Sequence, residues 1–140
     1  MCDPDLRPLL FDGPHWRLVL NYNQDLLAKC FLALRRHEES VLELTAAEWI
    51  DLQHELDRAT RMVATTFRPD HFNYAFLQNQ DRHVHLHIIP RYATPRSFGE
   101  RVFEDTEYPG HYAVGAPAVH LRTQELSVLA AALRDGLTHR

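Results

Sequence analysis

Three of the chain's ten histidines, His83, His85 and His87, fall on alternate residues of the stretch HVHLHIIPR. Successive strand side chains point to opposite faces, so the spacing predicts three imidazoles on one face and Val84 and Leu86 on the other. Alternate Cα atoms lie about 6.6 Å apart at the strand rise, close enough for the rings to converge on one small target. Neutral imidazoles bind zinc and other transition metals, with Cys30, His37 or Asp81 available as a further ligand. An imidazole with one unprotonated nitrogen near pH 7 is also a nucleophile towards phosphorus, and its neighbours can protonate a leaving group and hydrogen-bond phosphate oxygens. The third reading is alternation without shared purpose in a His-rich chain.

The remaining sequence must mount these rings. WRLVL (Trp16–Leu20) and CFLALR (Cys30–Arg35) read as short strands, with NYNQD as the turn after the first. Residues 1–15 carry Pro4, Pro8, Gly13 and Pro14 and read as an irregular lead-in. Thr45-Ala46-Ala47-Glu48 is a capping box, with Leu44 and Trp49 placed for a hydrophobic staple. Apolar positions then recur at Trp49, Leu52, Leu56, Ala59, Val63 and Phe67, one helical face that ends before Pro69. NYAFLQN (73–79) and HVHLHII (83–89) read as a hairpin joined by Gln80-Asp81-Arg82. Residues 93–117, rich in Pro and Gly, read as a long functional loop or partner-facing arm. A last helix is predicted from Thr123, with Leu126, Leu129, Ala130 and Leu133 on one face and Gly136 at its end. The order β-β-α-β-β implies an α+β fold on an antiparallel sheet.

A length of 140 residues fits one domain able to bury a real core. The net charge of −4 argues against a general nucleic-acid surface, and no apolar run reaches the length of a membrane span. The acidic start MCDPDLRPLL does not read as a secretory signal, and the expected location is the cytoplasm. Cys2 and Cys30 make no disulfide framework. The five glycines form no phosphate-binding loop, so phosphate recognition must come from side chains and strand amides. Arg91, Arg96 and Arg101 near the triad are candidates for steering anions, and Arg35-Arg36-His37 for attracting a polyphosphate. Surface roles suffice for His54, His71, His111, His120 and His139.

HVHLHII with the following Pro90-Arg91, together with FLALRRH, the capped helix after VLELT and NYAFLQN, resembles the histidine triad family from about Trp16 to Tyr112. The resemblance implies one domain over 1–140, with the core at about 16–112 and an arm and helix over 113–140. It implies an α+β antiparallel sheet with helices on one face, joined across a homodimer into a continuous sheet. It further implies a nucleotide hydrolase or transferase acting on phosphoramidates or dinucleoside polyphosphates, with a purine nucleotide as substrate and no cofactor. His85 would form a covalent nucleotidyl intermediate, His87 would assist the leaving group, and His83 would orient the His85 ring. Asn79 and Gln80 would face the phosphate, and Asn21 the ribose. Two residues depart from the pattern: Cys30 stands where a fourth histidine is usual, and Gln78 replaces the glycine before Asn79. A metal-binding protein and a non-catalytic nucleotide-binding module are the alternative functions.

Overall fold

The computed structural model describes residues 8–138; Cys2, Pro4 and His139 lie outside them. Five strands form one antiparallel sheet: β1 (Leu9–Asp12), β2 (Trp16–Leu20), β3 (Cys30–Leu34), β4 (His71–Ala75) and β5 (His85–Arg91), in the order β1-β2-β3-β5-β4. Two helices, α1 (Ala46–Phe67) and α2 (Thr123–Thr138), pack on one face. This is the α+β architecture expected from the element order.

The pleat sorts the sheet residues into two populations. Leu18, Leu20, Cys30, Leu32, Leu86 and Ile88 join Met62, Val63, Leu129 and Leu133 in the main core beneath the helices. Val19, Phe31 and Ala33 point the other way and form a separate small cluster. Each leucine that passes from exposed to fully buried contributes about 1.5–3 kcal/mol, so this two-sided burial fixes the register of β2, β3 and β5 firmly. A slip of one residue would drive Phe31 into the helices and Leu32 to the opposite face.

Helix α1 begins as its sequence requires. Thr45 Oγ1 accepts from the Glu48 amide at 3.1 Å, and Glu48 Oε1 accepts from the Thr45 amide at 2.8 Å. Its inward face is rotated from the expected stripe. Glu48 and Glu55 are buried, whereas Trp49 is 45% exposed and meets Phe76 edge-on. The reason is electrostatic pairing. Glu48 also takes two hydrogen bonds from the Arg36 guanidinium, at 2.9 and 3.1 Å, which lets a carboxylate occupy an inward position.

Four expectations need correction. Residues 9–12 are not irregular: they form β1, and the tight Gly13–Trp16 turn (amide to carbonyl, 2.8 Å) leads into β2. The strand expected over 73–79 stops at Ala75, and β5 starts at His85 rather than His83, so residues 76–84 form a loop instead of a tight hairpin. Pro90 is tolerated within β5 because β3 pairs only as far as Ile88, leaving Pro90 with β4 on one side. Residues 93–117 are not wholly irregular, for β6 (Arg96–Phe98) and β7 (Arg101–Phe103) form a small hairpin. Gly136 does not end α2, which continues to Thr138. A Cβ there would collide with Thr66 Oγ1, so the glycine permits the close crossing of α1 and α2.

Candidate active site

Register places the imidazoles. In the antiparallel pairing of β3 with β5, Ala33 lies opposite His85 and Phe31 opposite His87. Both histidines therefore rise from the face away from the helices, with Phe31 as a common apolar neighbour at 5.9 and 6.2 Å between ring centroids. The two imidazoles meet edge to face at 4.7 Å. Leu86 and Ile88 anchor the same strand in the core, which keeps the pair rigid.

His85 is fixed further by a short hydrogen bond, 2.6 Å, between its Nδ1 and the main-chain carbonyl of His83. A carbonyl only accepts, so Nδ1 carries the proton and Nε2 carries the lone pair. His83 itself is arranged differently. Its Nε2 donates to the Leu34 carbonyl at 2.6 Å, its Nδ1 lies 3.5 Å from the Glu38 amide, and its ring stacks on His37 at 5.5 Å. The His83 backbone, rather than its ring, touches His85.

A cavity of about 580 Å³ opens over the two imidazoles. Asn21, Tyr22 and Asn23 after β2, Leu77 to Asp81 before β5, and Phe31, His85, His87 and His120 line it. Of the six residues singled out from sequence, Asn21, Asn79, Gln80, His85 and His87 meet here; His83 is outside the lining. The loop after β2 is held by Gln24, fully buried, whose side chain donates to the carbonyls of Asn21 and Lys29 and accepts from the Ala28 amide. Asn21 Oδ1 accepts from the Asn23 amide at 3.0 Å. In the loop before β5, Asp81 Oδ1 accepts from the His83 amide at 3.0 Å and folds the chain into β5.

Sequence reading missed Tyr22, Asn23, Phe31, Leu77 and His120. Phe31 becomes legible once the β3–β5 register is known, and Tyr22 by adjacency to Asn21. His120 had no local signal. It reaches the cavity because it forms an isolated bridge with Asn23, and its ring lies 4.9 Å from Tyr22.

The candidate anion-steering arginines are all engaged in structure. Arg91 is buried, bonding Asp105 through Nε at 2.7 Å and a terminal nitrogen at 3.2 Å, and Asn73 at 2.9 Å. Arg96 donates to the Phe67 and Arg68 carbonyls and closes the end of α1. Arg101 pairs with Glu125, whose pKa its guanidinium lowers to about 2. Arg35 and Arg36 are paired with Asp12 and Glu48. Among the described residues, no arginine or lysine lines the cavity, and Asp81 is the carboxylate that does.

The fate of Cys30 follows from the pleat. It pairs with Ile88, points into the helix-packed core, and its thiol is pushed up to about 12 by burial. It therefore stands on the opposite face from His85 and His87 and cannot supply a ligand or a backing group to them. Among the described residues, no three of His, Cys, Asp and Glu are grouped to hold a metal ion.

No family model and no curated protein matches the sequence. Solved structures do match. A histidine triad protein from Sinorhizobium meliloti superposes with a TM-score of 0.78 at 18% identity, over 97% of this chain and 96% of the other. The fold is that of the histidine triad proteins. A second such protein, from Bradyrhizobium japonicum, gives a TM-score of 0.75 at 19% identity, covering 95% of this chain and 92% of its own. A third, described as a hypothetical histidine triad nucleotide-binding protein, comes from Sulfolobus tokodaii; it gives 0.70 at 13% identity, over 93% and 83%. Within the histidine triad fold, the cavity lies on the sheet face that the helices leave uncovered.

Proposed function

We propose that the protein is a nucleotide hydrolase or nucleotidyl transferase that cleaves at an α-phosphate through a covalent nucleotidyl-His85 intermediate. The observation that carries this reading is the 2.6 Å bond from His85 Nδ1 to the His83 carbonyl, which fixes the tautomer with a nucleophilic Nε2. Nε2 attacks phosphorus, a P–N bond forms, and the bond from phosphorus to the leaving amine or oxygen breaks. His87, in edge contact with His85, delivers a proton to the departing group and afterwards takes one from the attacking water. Water opens the P–N bond, a nucleoside monophosphate leaves, and neutral His85 is restored.

The lining supports the remaining assignments. Asn79 and Gln80 offer amide donors to the phosphate oxygens in a cavity that no described arginine or lysine lines. Asn21, its oxygen engaged by the Asn23 amide, offers its NH2 to the ribose hydroxyls. Phe31 and Tyr22 supply aromatic surface suited to a purine base. The description of the Sulfolobus tokodaii protein as nucleotide-binding accords with this substrate class. The edge position of β4 supports a homodimer in which two sheets become continuous, and cytoplasmic action completes the proposal.

Turnover of adenosine 5′-phosphoramidate tests the chemistry. His85→Asn should lower kcat by about a thousandfold or more, with an unchanged circular dichroism spectrum. Turnover near the wild-type rate would refute nucleophilic catalysis by His85. Tight binding of a nucleoside monophosphate without turnover by the wild-type protein would indicate a binding module instead.

A further inference from the structure

Gln78 combines an unusual backbone with an unusual set of bonds. Its φ of 50° lies in the left-handed region, which side-chain-bearing residues populate rarely. Its side-chain Nε2 lies 2.7 Å from the carbonyl of Glu39 and 2.7 Å from the carbonyl of Arg82. Two carbonyl acceptors identify this end as the NH2 group, with each proton donated to a different segment.

Those two segments also fix the reacting imidazole. Arg82 immediately precedes His83, whose carbonyl holds His85 Nδ1. Glu39 follows Glu38, whose carbonyl accepts from the Val84 amide at 2.8 Å and whose amide faces His83 Nδ1. The Gln78 amide thus ties the turn bearing Asn79 and Gln80 to the same framework that orients His85. Without it, the exposed Asn79 and Gln80 would hang on the 76–84 loop alone.

We propose that Gln78 is a positioning residue, whose side-chain clasp on Glu39 and Arg82 sets the distance between the phosphorus-facing turn and His85. The proposal rests on the functional reading above. It explains why a residue with a side chain occupies a left-handed position: the clasp offsets the backbone cost that glycine would avoid.

Two substitutions in the full chain separate the clasp from the backbone. Gln78→Gly relieves the backbone and removes the clasp; Gln78→Glu keeps the shape but replaces the NH2 donor with an acceptor. With adenosine 5′-phosphoramidate, kcat should fall about tenfold to a hundredfold in both, with KM within about twofold of wild type. Backbone NMR order parameters at residues 79–81 should fall below about 0.6 in both, and the thermal midpoint of Gln78→Gly should stay within about 3 °C of wild type. A side chain that served stability alone would lower the thermal midpoint and leave kcat unmoved. Wild-type kcat in Gln78→Gly, or unchanged order parameters at 79–81, would overturn the proposal. Absence of turnover in the wild-type protein would overturn the functional reading and this role with it, and the order parameters distinguish that failure from failure of the clasp.

Discussion

Replacing Asp105 by alanine removes the partner of a deeply buried charge. The side chains of Arg91 and Asp105 are 3% and 2% exposed. Asp105 takes two bonds from the guanidinium, at 2.7 and 3.2 Å, and one from the Tyr92 amide at 3.1 Å. Burial works to raise the Asp105 pKa, but Arg91 and the Tyr92 amide outweigh it and hold the carboxyl below its ordinary range. Asp105→Ala leaves Arg91 with Asn73 alone, among the described residues, as a hydrogen-bonding side chain, and breaking a buried pair in this way costs about 3–5 kcal/mol. For a domain of this size each kcal/mol lowers the thermal midpoint by about 3 °C, so a fall of about 9–15 °C is expected. Urea and thermal unfolding followed by circular dichroism measure both quantities. The double variant Arg91→Met with Asp105→Leu removes both charges and should recover at least about half of the loss. A cost below about 1 kcal/mol for Asp105→Ala, the scale of an exposed ion pair, would refute the view that Arg91 is a structural anchor.

Glu48 and Cys30 give two further expectations. The hydrogen bonds from Arg36, chiefly, hold the Glu48 pKa at about 2, against an ordinary value of 4.5. Because the folded value is the lower one, its stabilising contribution is complete above pH 4.5 and is lost as the pH falls towards 2. The urea midpoint should therefore decline more steeply from pH 5 to about 2.5 in the wild type than in Glu48→Gln, and equal slopes would refute the assignment. In a Cys2→Ser background, Cys30 should react with a thiol-disulfide reagent at less than about a hundredth of the rate seen in urea. Immediate stoichiometric labelling of the folded protein would contradict its placement in the core.

Local rules carried much of the architecture. The capping box at Thr45 and Glu48 starts α1 where the residues place it, because cap chemistry involves partners only three residues apart. The β-rich runs at Trp16 and Cys30 became β2 and β3 for a similar reason: short, nearly continuous apolar runs suit strands buried on both faces. Errors gathered where distant partners decide. Trp49 lies outside the buried face of α1, where Glu48 turns inward to meet Arg36 from the segment after β3. Gly136 looked like a terminator, yet it lies inside α2, where Thr66 on the facing helix occupies the space a Cβ would fill.

The same division runs through the candidate site. The alternation of His85 and His87 with Leu86 was enough to put both rings on one face, since the two-residue period of a strand is set by backbone geometry alone. Tertiary structure decided what that face meets. It turned Cys30 to the opposite side of the sheet, moved the His83 ring onto His37, and brought His120 to Asn23. It also consumed Arg91, Arg96 and Arg101 in anchoring the chain. Spacing within one strand is a property of the sequence, whereas the neighbours of a face depend on pairing register and loop closure, which only the folded chain supplies.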